Sequence, residues 1–243
     1  MRKGQSDSIG MKGVGSAAES TLRAALCWHA QQVQRQGLSP GTSGNLSVRC
    51  GLDMLITPSG VPFERLAPAD LVRVGMDGDH AHALQPSSEW GLHRDVYQAR
   101  PEVTAIVHAH PPAATTLSIT RRGIPPLHYM VVAAGGDDIR CAGYATFGTA
   151  ALSEQVLQAL NDRTACLMAN HGMIALGADL PRALWLAGEV EVLAAQTLQV
   201  MQVGGGVLLT VEQLAQVREA FRDYGLRQPA RPESPLFDAP ADR

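Results

Sequence analysis

VTAIVHAHPP, residues 103–112, is an apolar run that two prolines stop. Its β-branched and apolar residues predict a buried strand, and Pro111-Pro112 ends it by removing backbone donors. Side chains alternate along a strand, so His108 and His110 share one face and two imidazoles can converge on one ion. Two neutral nitrogens suit zinc, and a catalytic zinc takes three protein ligands and keeps a position open. The best third ligand is His171 in LMANHGMIA, which follows another apolar run and precedes Gly172, where a sharp backbone turn is expected. A second pair at the same spacing, His80 and His82, lies in the polar stretch DGDHAHALQ, reads as a hairpin loop and is assigned to solvent. His29, His93 and His128 are read as ordinary structural or surface histidines.

Outward from this strand, Ser20–Gln36 has helical apolar spacing and stops at Gly37. GTSGNLSVR reads as a glycine-rich turn entering a strand, MLITPSG as its hairpin partner, and Leu71–Val74 as a further strand. PSSEWGLHRDVYQARP predicts a helix with Ser87 or Ser88 as N-cap. Downstream come a short helix over Ala113–Ile119, a strand near Met130, a loop of Gly and Asp, and a helix over ALSEQVLQAL. ACLMANHGMIALG reads as a strand with a turn inside it, and two helices follow, over Leu180–Met201 and about Val211–Tyr224. Strands mixed with helices without strict βαβ alternation predict an α/β sandwich with a central, mostly antiparallel sheet flanked by helices. Residues 1–18 read as a disordered lead, 19–227 as one domain and 228–243 as a flexible, proline-rich tail.

Composition narrows the function. The net charge of −3 lacks the basic excess that nucleic acid or an anionic membrane would attract. The longest apolar segment, Ala183–Val203, is broken by Glu189, Glu191 and several glutamines, so no membrane span is expected. Cys27, Cys50, Cys141 and Cys166 contain no CxxC pair and suit reduced thiols in the cytoplasm. GTSGN (41–45), TPSG (57–60) and PSS (86–88) offer hydroxyls and free N–H groups of the kind that ring a phosphate, although none is a Walker loop. Glu89 follows directly; a carboxylate beside a metal can ligate it or move a proton.

GTSGN, ITPSGVPFERL, PSSEW, VHAH, IPPLHYMVVAAGGDDIRCAGYATFGT, NHGMIA and DYGLR together resemble the class II aldolase/adducin family, over about Thr21–Arg227. The likeness is nearest to its ketose 1-phosphate aldolases. It implies one zinc per subunit on His108, His110 and His171, with Glu89 as acid/base. It also implies a phosphate site at Thr42, Ser43, Gly44, Asn45, Ser59, Gly60, Ser87 and Ser88. By the same likeness Tyr129 reaches into the neighbouring subunit's active site, Tyr224 is a second such tyrosine, and Phe147 lies near the aldehyde pocket. The implied assembly is a homotetramer with active sites at subunit interfaces. The implied reaction cleaves a ketose 1-phosphate resembling L-fuculose 1-phosphate to dihydroxyacetone phosphate and a small aldehyde. Alternatives are cleavage of 5-deoxyribulose or methylthioribulose 1-phosphate, or epimerisation of a pentulose 5-phosphate at C4. A non-catalytic, adducin-like interaction domain ranks below these, because it predicts lost metal histidines.

Overall fold

The structure, a computed structural model, describes residues 16–223. Tyr224 and the expected tail lie outside them, as does the lead expected to be disordered, except residues 16–18, which are helical instead. Helix α1 (Ser16–Arg35) begins four positions before the expected Ser20 and buries Leu26, Ala30 and Val33 at helical spacing. Seven strands follow: β1 (Asn45–Cys50), β2 (Asp53–Ile56), β3 (Val72–Val74), β4 (Ala105–Ala109), β5 (Cys141–Ala142), β6 (Ala165–Met168) and β7 (Gly172–Gly177). The remaining helices are α2 (Trp90–Ala99), α3 (Pro112–Ile119), α4 (Ala150–Ala159), α5 (Leu180–Gln202) and α6 (Val211–Asp223).

The sheet order is β3-β2-β1-β4-β7-β6-β5. Every pair is antiparallel except β5 with β6, so the expected mostly antiparallel α/β sandwich is what forms. Alternation divides β4 between two cores. Ala105, Val107 and Ala109 face the layer of α1, α3 and α5, whereas Ile106 faces α2 and α4. His108 follows Ile106 by two and lies on the α2 side. Strand β4 is flanked by β1 and β7, with Asn45 opposite His108 on one side and Ile174 on the other. The metal strand is thus central, paired on both edges and covered on both faces, which fixes its register.

Glu191 explains one polar break in α5. Its carboxylate accepts the N–H groups of Ala113 and Ala114, each at 2.8 Å, and so holds the first turn of α3 directly after His110 and the two prolines. Among the described residues no helix is long and apolar enough to cross a membrane.

Three local expectations are corrected. The strand expected near Met130 is a 3₁₀ helix, Tyr129–Ala134. His128 caps it by accepting the Met130 N–H, and Gly135 at φ 91° ends it. A short apolar run does not reveal its period, so strand and helix could not be told apart there. The Gly/Asp loop contains the two-residue strand β5, too short for any periodicity. Finally, α2 is not capped by Ser87 or Ser88: the N-cap residue is Glu89, whose side chain makes no cap hydrogen bond.

Candidate active site

Glu89 sits where a carboxylate would ordinarily satisfy helix N–H groups, yet its oxygens point the other way. Oε2 lies 3.1 Å from His108 Nε2, and Oε1 lies 3.6 Å from His171 Nε2. His110 Nε2 is 3.0 Å from His108 Nε2. The three rings stand at equal centroid separations of 4.8 Å, steeply inclined to one another, and their ligand atoms all lie within 4.8 Å of one another.

Different local causes place each ring. His108 is fully buried, and its Nδ1–H donates to the Met173 carbonyl at 2.8 Å. That bond leaves the Nε2 lone pair facing the cluster, as a metal-ligating histidine requires. His110 ends the strand, with its backbone N–H held by Ser39 Oγ at 3.2 Å. His171 lies in the tight connection between β6 and β7. The sharp turn expected at Gly172 falls instead at Asn170, which is left-handed at φ 55°, and Gly172 already belongs to β7. Gly172 serves by lacking a Cβ, which would stand 2.5 Å from the Ala109 carbonyl oxygen and 2.7 Å from the His110 ring. A side chain there would displace one ligand of the triad.

The electrostatics suit a cation. Burial first, then His108 and His171, depress His110 to about 3; burial and His108 depress His171 to about 4. Burial also opposes a charge on His108, but the adjoining Glu89 carboxylate outweighs it and raises that group. Glu89 is penalised by burial in turn, yet His108, His171 and Asn45 hold its pKa well below the carboxylate range. Its Oε1 is buried without a hydrogen-bond partner. Two imidazoles held neutral, and a third whose Nε2 faces a carboxylate with an unsatisfied oxygen, fit a divalent cation, which satisfies the lone pairs and the charge together.

The small-residue loops are also brought together. Thr57 Oγ1 accepts the Leu46 N–H at 3.2 Å, Ser87 N–H donates to the Thr57 carbonyl at 3.1 Å, and Ser59 N–H donates to Gln85 at 3.0 Å. A bridge between Pro58 and Pro86 completes the link. Gly44, at φ 80°, has no room for a Cβ: one would meet Ser39 Oγ at 2.6 Å and the His108 carbonyl at 2.7 Å. Thr42, Ser59, Gly60 and Ser88 are exposed, Ser43 is half-buried and Ser87 buried. Asn45 differs from the rest of its group. Its side chain is buried and committed, donating from Nδ2 to Glu89 Oε2 at 3.0 Å and accepting His93 Nε2–H on Oδ1 at 2.6 Å.

Phe147 is exposed on the loop before α4, where Gly148, at φ 72°, lies against the Ser88 carbonyl. Tyr129 is elsewhere. It is half-exposed on its 3₁₀ helix beside α5 and α6, with its ring against His128 and Phe221. His80 is exposed and His82 half-buried in their loop, bonded to the Gly78 and Ala69 carbonyls. His93 is a structural histidine of the core, with both ring nitrogens engaged. It is completely buried between Ser47 and Asn45, and burial pushes it down to about 3. Two features of the sequence point to its place: it follows Glu89 by one helical turn, and Ser47 stands two after Asn45 on the same face of β1.

Residues 24–198 match the Class II Aldolase and Adducin N-terminal domain. The chain belongs to the class II aldolase/adducin family. It is 49% identical over 197 residues to an L-fuculose phosphate aldolase of Escherichia coli O6:H1, an alignment covering 81% of this chain and 92% of the relative. It is 48% identical over 204 residues to a 5-methylthioribulose-1-phosphate/5-deoxyribulose-1-phosphate aldolase of Rhodospirillum rubrum, covering 84% and 92%. A solved L-fuculose 1-phosphate aldolase superposes with a TM-score of 0.81 at 35% identity, covering 88% of this chain and all of the other. The chain therefore stands on the enzymatic, lyase side of the family, and its candidate metal triad is intact.

Proposed function

We propose that this protein is a zinc-dependent aldehyde-lyase that cleaves a ketose 1-phosphate, L-fuculose 1-phosphate in the first instance, to dihydroxyacetone phosphate and a small aldehyde. The observation that carries this is the Glu89 carboxylate set against His108 and His171 in a triad whose ligand atoms lie within 4.8 Å. The 49% identity to an enzyme named for that substrate supports it.

In this reading His108, His110 and His171 hold the ion, which when bound supplies Lewis-acid stabilisation of the negative charge developing on the three-carbon fragment. Thr42, Ser43, Gly44, Ser59, Gly60, Ser87 and Ser88 take the phosphate through N–H groups and hydroxyls, with the backbone of Asn45 adjoining. No Lys or Arg occurs among these motif residues. As the C3–C4 bond breaks, one proton leaves the C4 hydroxyl and one arrives at C3. Glu89 serves the carbon. Held as a carboxylate, it removes a C–H proton of dihydroxyacetone phosphate in the addition direction, and microscopic reversibility makes it the donor in cleavage. Tyr129 from a neighbouring subunit serves the C4 oxygen, we assign Tyr224 a supporting part in the same chemistry, and Phe147 lines the aldehyde side. A ring of identical head-to-tail contacts gives each site one such tyrosine, and we assign a homotetramer. The four free cysteines suit the cytoplasm.

A second reading, cleavage of 5-methylthioribulose or 5-deoxyribulose 1-phosphate, is favoured by the 48% identity to the Rhodospirillum enzyme. Product analysis on the metal-loaded protein tests both. L-fuculose 1-phosphate, the two deoxypentulose phosphates and a pentulose 5-phosphate are supplied in turn, and dihydroxyacetone phosphate is expected from a 1-phosphate. A C4 epimer of the pentulose 5-phosphate, with no triose phosphate from any ketose, would overturn the aldolase reading.

The shared site has its own test. Tyr129→Phe should keep metal and assembly while slowing cleavage, and mixing it with Glu89→Gln should recover activity in hybrids that pair an intact Tyr129 with an intact Glu89. Mixed oligomers without recovery would place that tyrosine outside the partner's site.

A further inference from the structure

Behind Glu89 runs a chain of side-chain hydrogen bonds: Asn45 Nδ2 to Glu89 at 3.0 Å, His93 Nε2 to Asn45 Oδ1 at 2.6 Å, Ser47 Oγ to His93 Nδ1 at 2.6 Å, and Tyr97 to Ser47 at 2.7 Å. We propose that His93 is a positioning residue for Glu89, acting through the amide of Asn45. The inference rests on the acid/base role given to Glu89 above.

With Glu89 a carboxylate and the fully buried His93 a neutral imidazole, chemistry permits only one polarity for this chain. A carboxylate only accepts, so Asn45 must turn its NH₂ toward Glu89 and its carbonyl oxygen toward His93. His93 must then carry its proton on Nε2, and its bare Nδ1 accepts from the Ser47 hydroxyl. The Ser47 oxygen is left to accept from the phenol of Tyr97. Asn45, Ser47, His93 and Tyr97 are all buried, so water cannot replace a lost partner. The outer end is fixed as well. The Arg49 guanidinium lies 4.6 Å over the Tyr97 ring and donates to the Tyr97 carbonyl at 2.7 Å.

Without the His93 N–H, Asn45 Oδ1 is left buried with no donor, and only the Glu89 carboxylate still holds the amide. An amide held at one end tilts to find another donor for its oxygen, and Glu89 loses its fixed register with His108 and His171. An imidazole suits the position because its two ring nitrogens, one donor and one acceptor, bridge β1 from the side of α2 without ionising.

The test joins kinetics to a signal that requires no turnover. Nitrogen NMR of histidine-labelled wild-type protein should show His93 as the Nε2–H tautomer, with Nδ1 bare and hydrogen-bonded. His93→Leu should keep metal content and KM within about threefold while kcat falls ~10–100-fold, the range for loss of an outer partner. In a Glu89→Gln background the same change should cost under about twofold, because there is no carboxylate left to position. Ser47→Ala, a gentler break in the same chain, should lower kcat in the same direction and decides the matter if His93→Leu fails to fold. An Nδ1–H tautomer, an equal loss in both backgrounds, or a loss carried by KM would overturn the inference. A wild-type rate in Glu89→Gln alone would overturn the reading of Glu89 on which it rests, and the tautomer signal separates that failure from a failure of the hydrogen-bond chain.

Discussion

Glu89→Gln will keep the fold and the metal and lose ~10²–10⁴-fold in cleavage rate, the usual contribution of a positioned acid or base. The amide is nearly the same shape as the carboxylate, so the loss measures proton transfer rather than packing. It corresponds to about 3–5 kcal/mol of transition-state stabilisation. A second readout isolates the proton: wild-type protein should exchange a C–H hydrogen of dihydroxyacetone phosphate with deuterated water, and the variant should not. Exchange at the wild-type rate in Glu89→Gln would move the acid/base role to another group. His93 would not be the first candidate, because its Nε2–H is engaged with Asn45.

His110→Ala will lose the bound ion and abolish cleavage. It removes one of three converging nitrogens, so affinity should fall by more than the ~10–100-fold that loss of an outer partner costs. Metal analysis should read about one ion per chain in the wild type, as three protein ligands around one open position predict, and near none in the variant. His80→Ala and His82→Ala are the matched controls. Those rings bond the carbonyls of Gly78 and Ala69 in an exposed loop, so metal content should not change. Retention of both metal and cleavage by His110→Ala would refute the ligand assignment.

Most of the architecture was legible in the chain because period and punctuation survive in one dimension. The alternation in VTAIVHAHPP identified a buried strand and placed two histidines on one face, and its prolines marked the end. The long apolar stripe of α5 was visible for the same reason. Elements without a readable period were missed: Tyr129–Ala134 formed a 3₁₀ helix where a strand was expected, and Cys141–Ala142 paired as a strand inside an expected loop.

For the site, the sequence by itself determined which residue types could bind an ion and a phosphate, and ranked His108, His110 and His171 above His80 and His82 by the apolar character of their surroundings. The tertiary structure decided what those residues do to one another. It brought Glu89 to 3.1 Å from His108 across a separation no spacing rule covers. It moved the tight backbone position from Gly172 to Asn170, and it turned the Asn45 amide onto Glu89, with His93 and Ser47 behind it. The reason is physical. Strand alternation is a local property of the chain, whereas the orientation of a buried carboxylate is settled by which donors three-dimensional packing leaves within reach once water is gone.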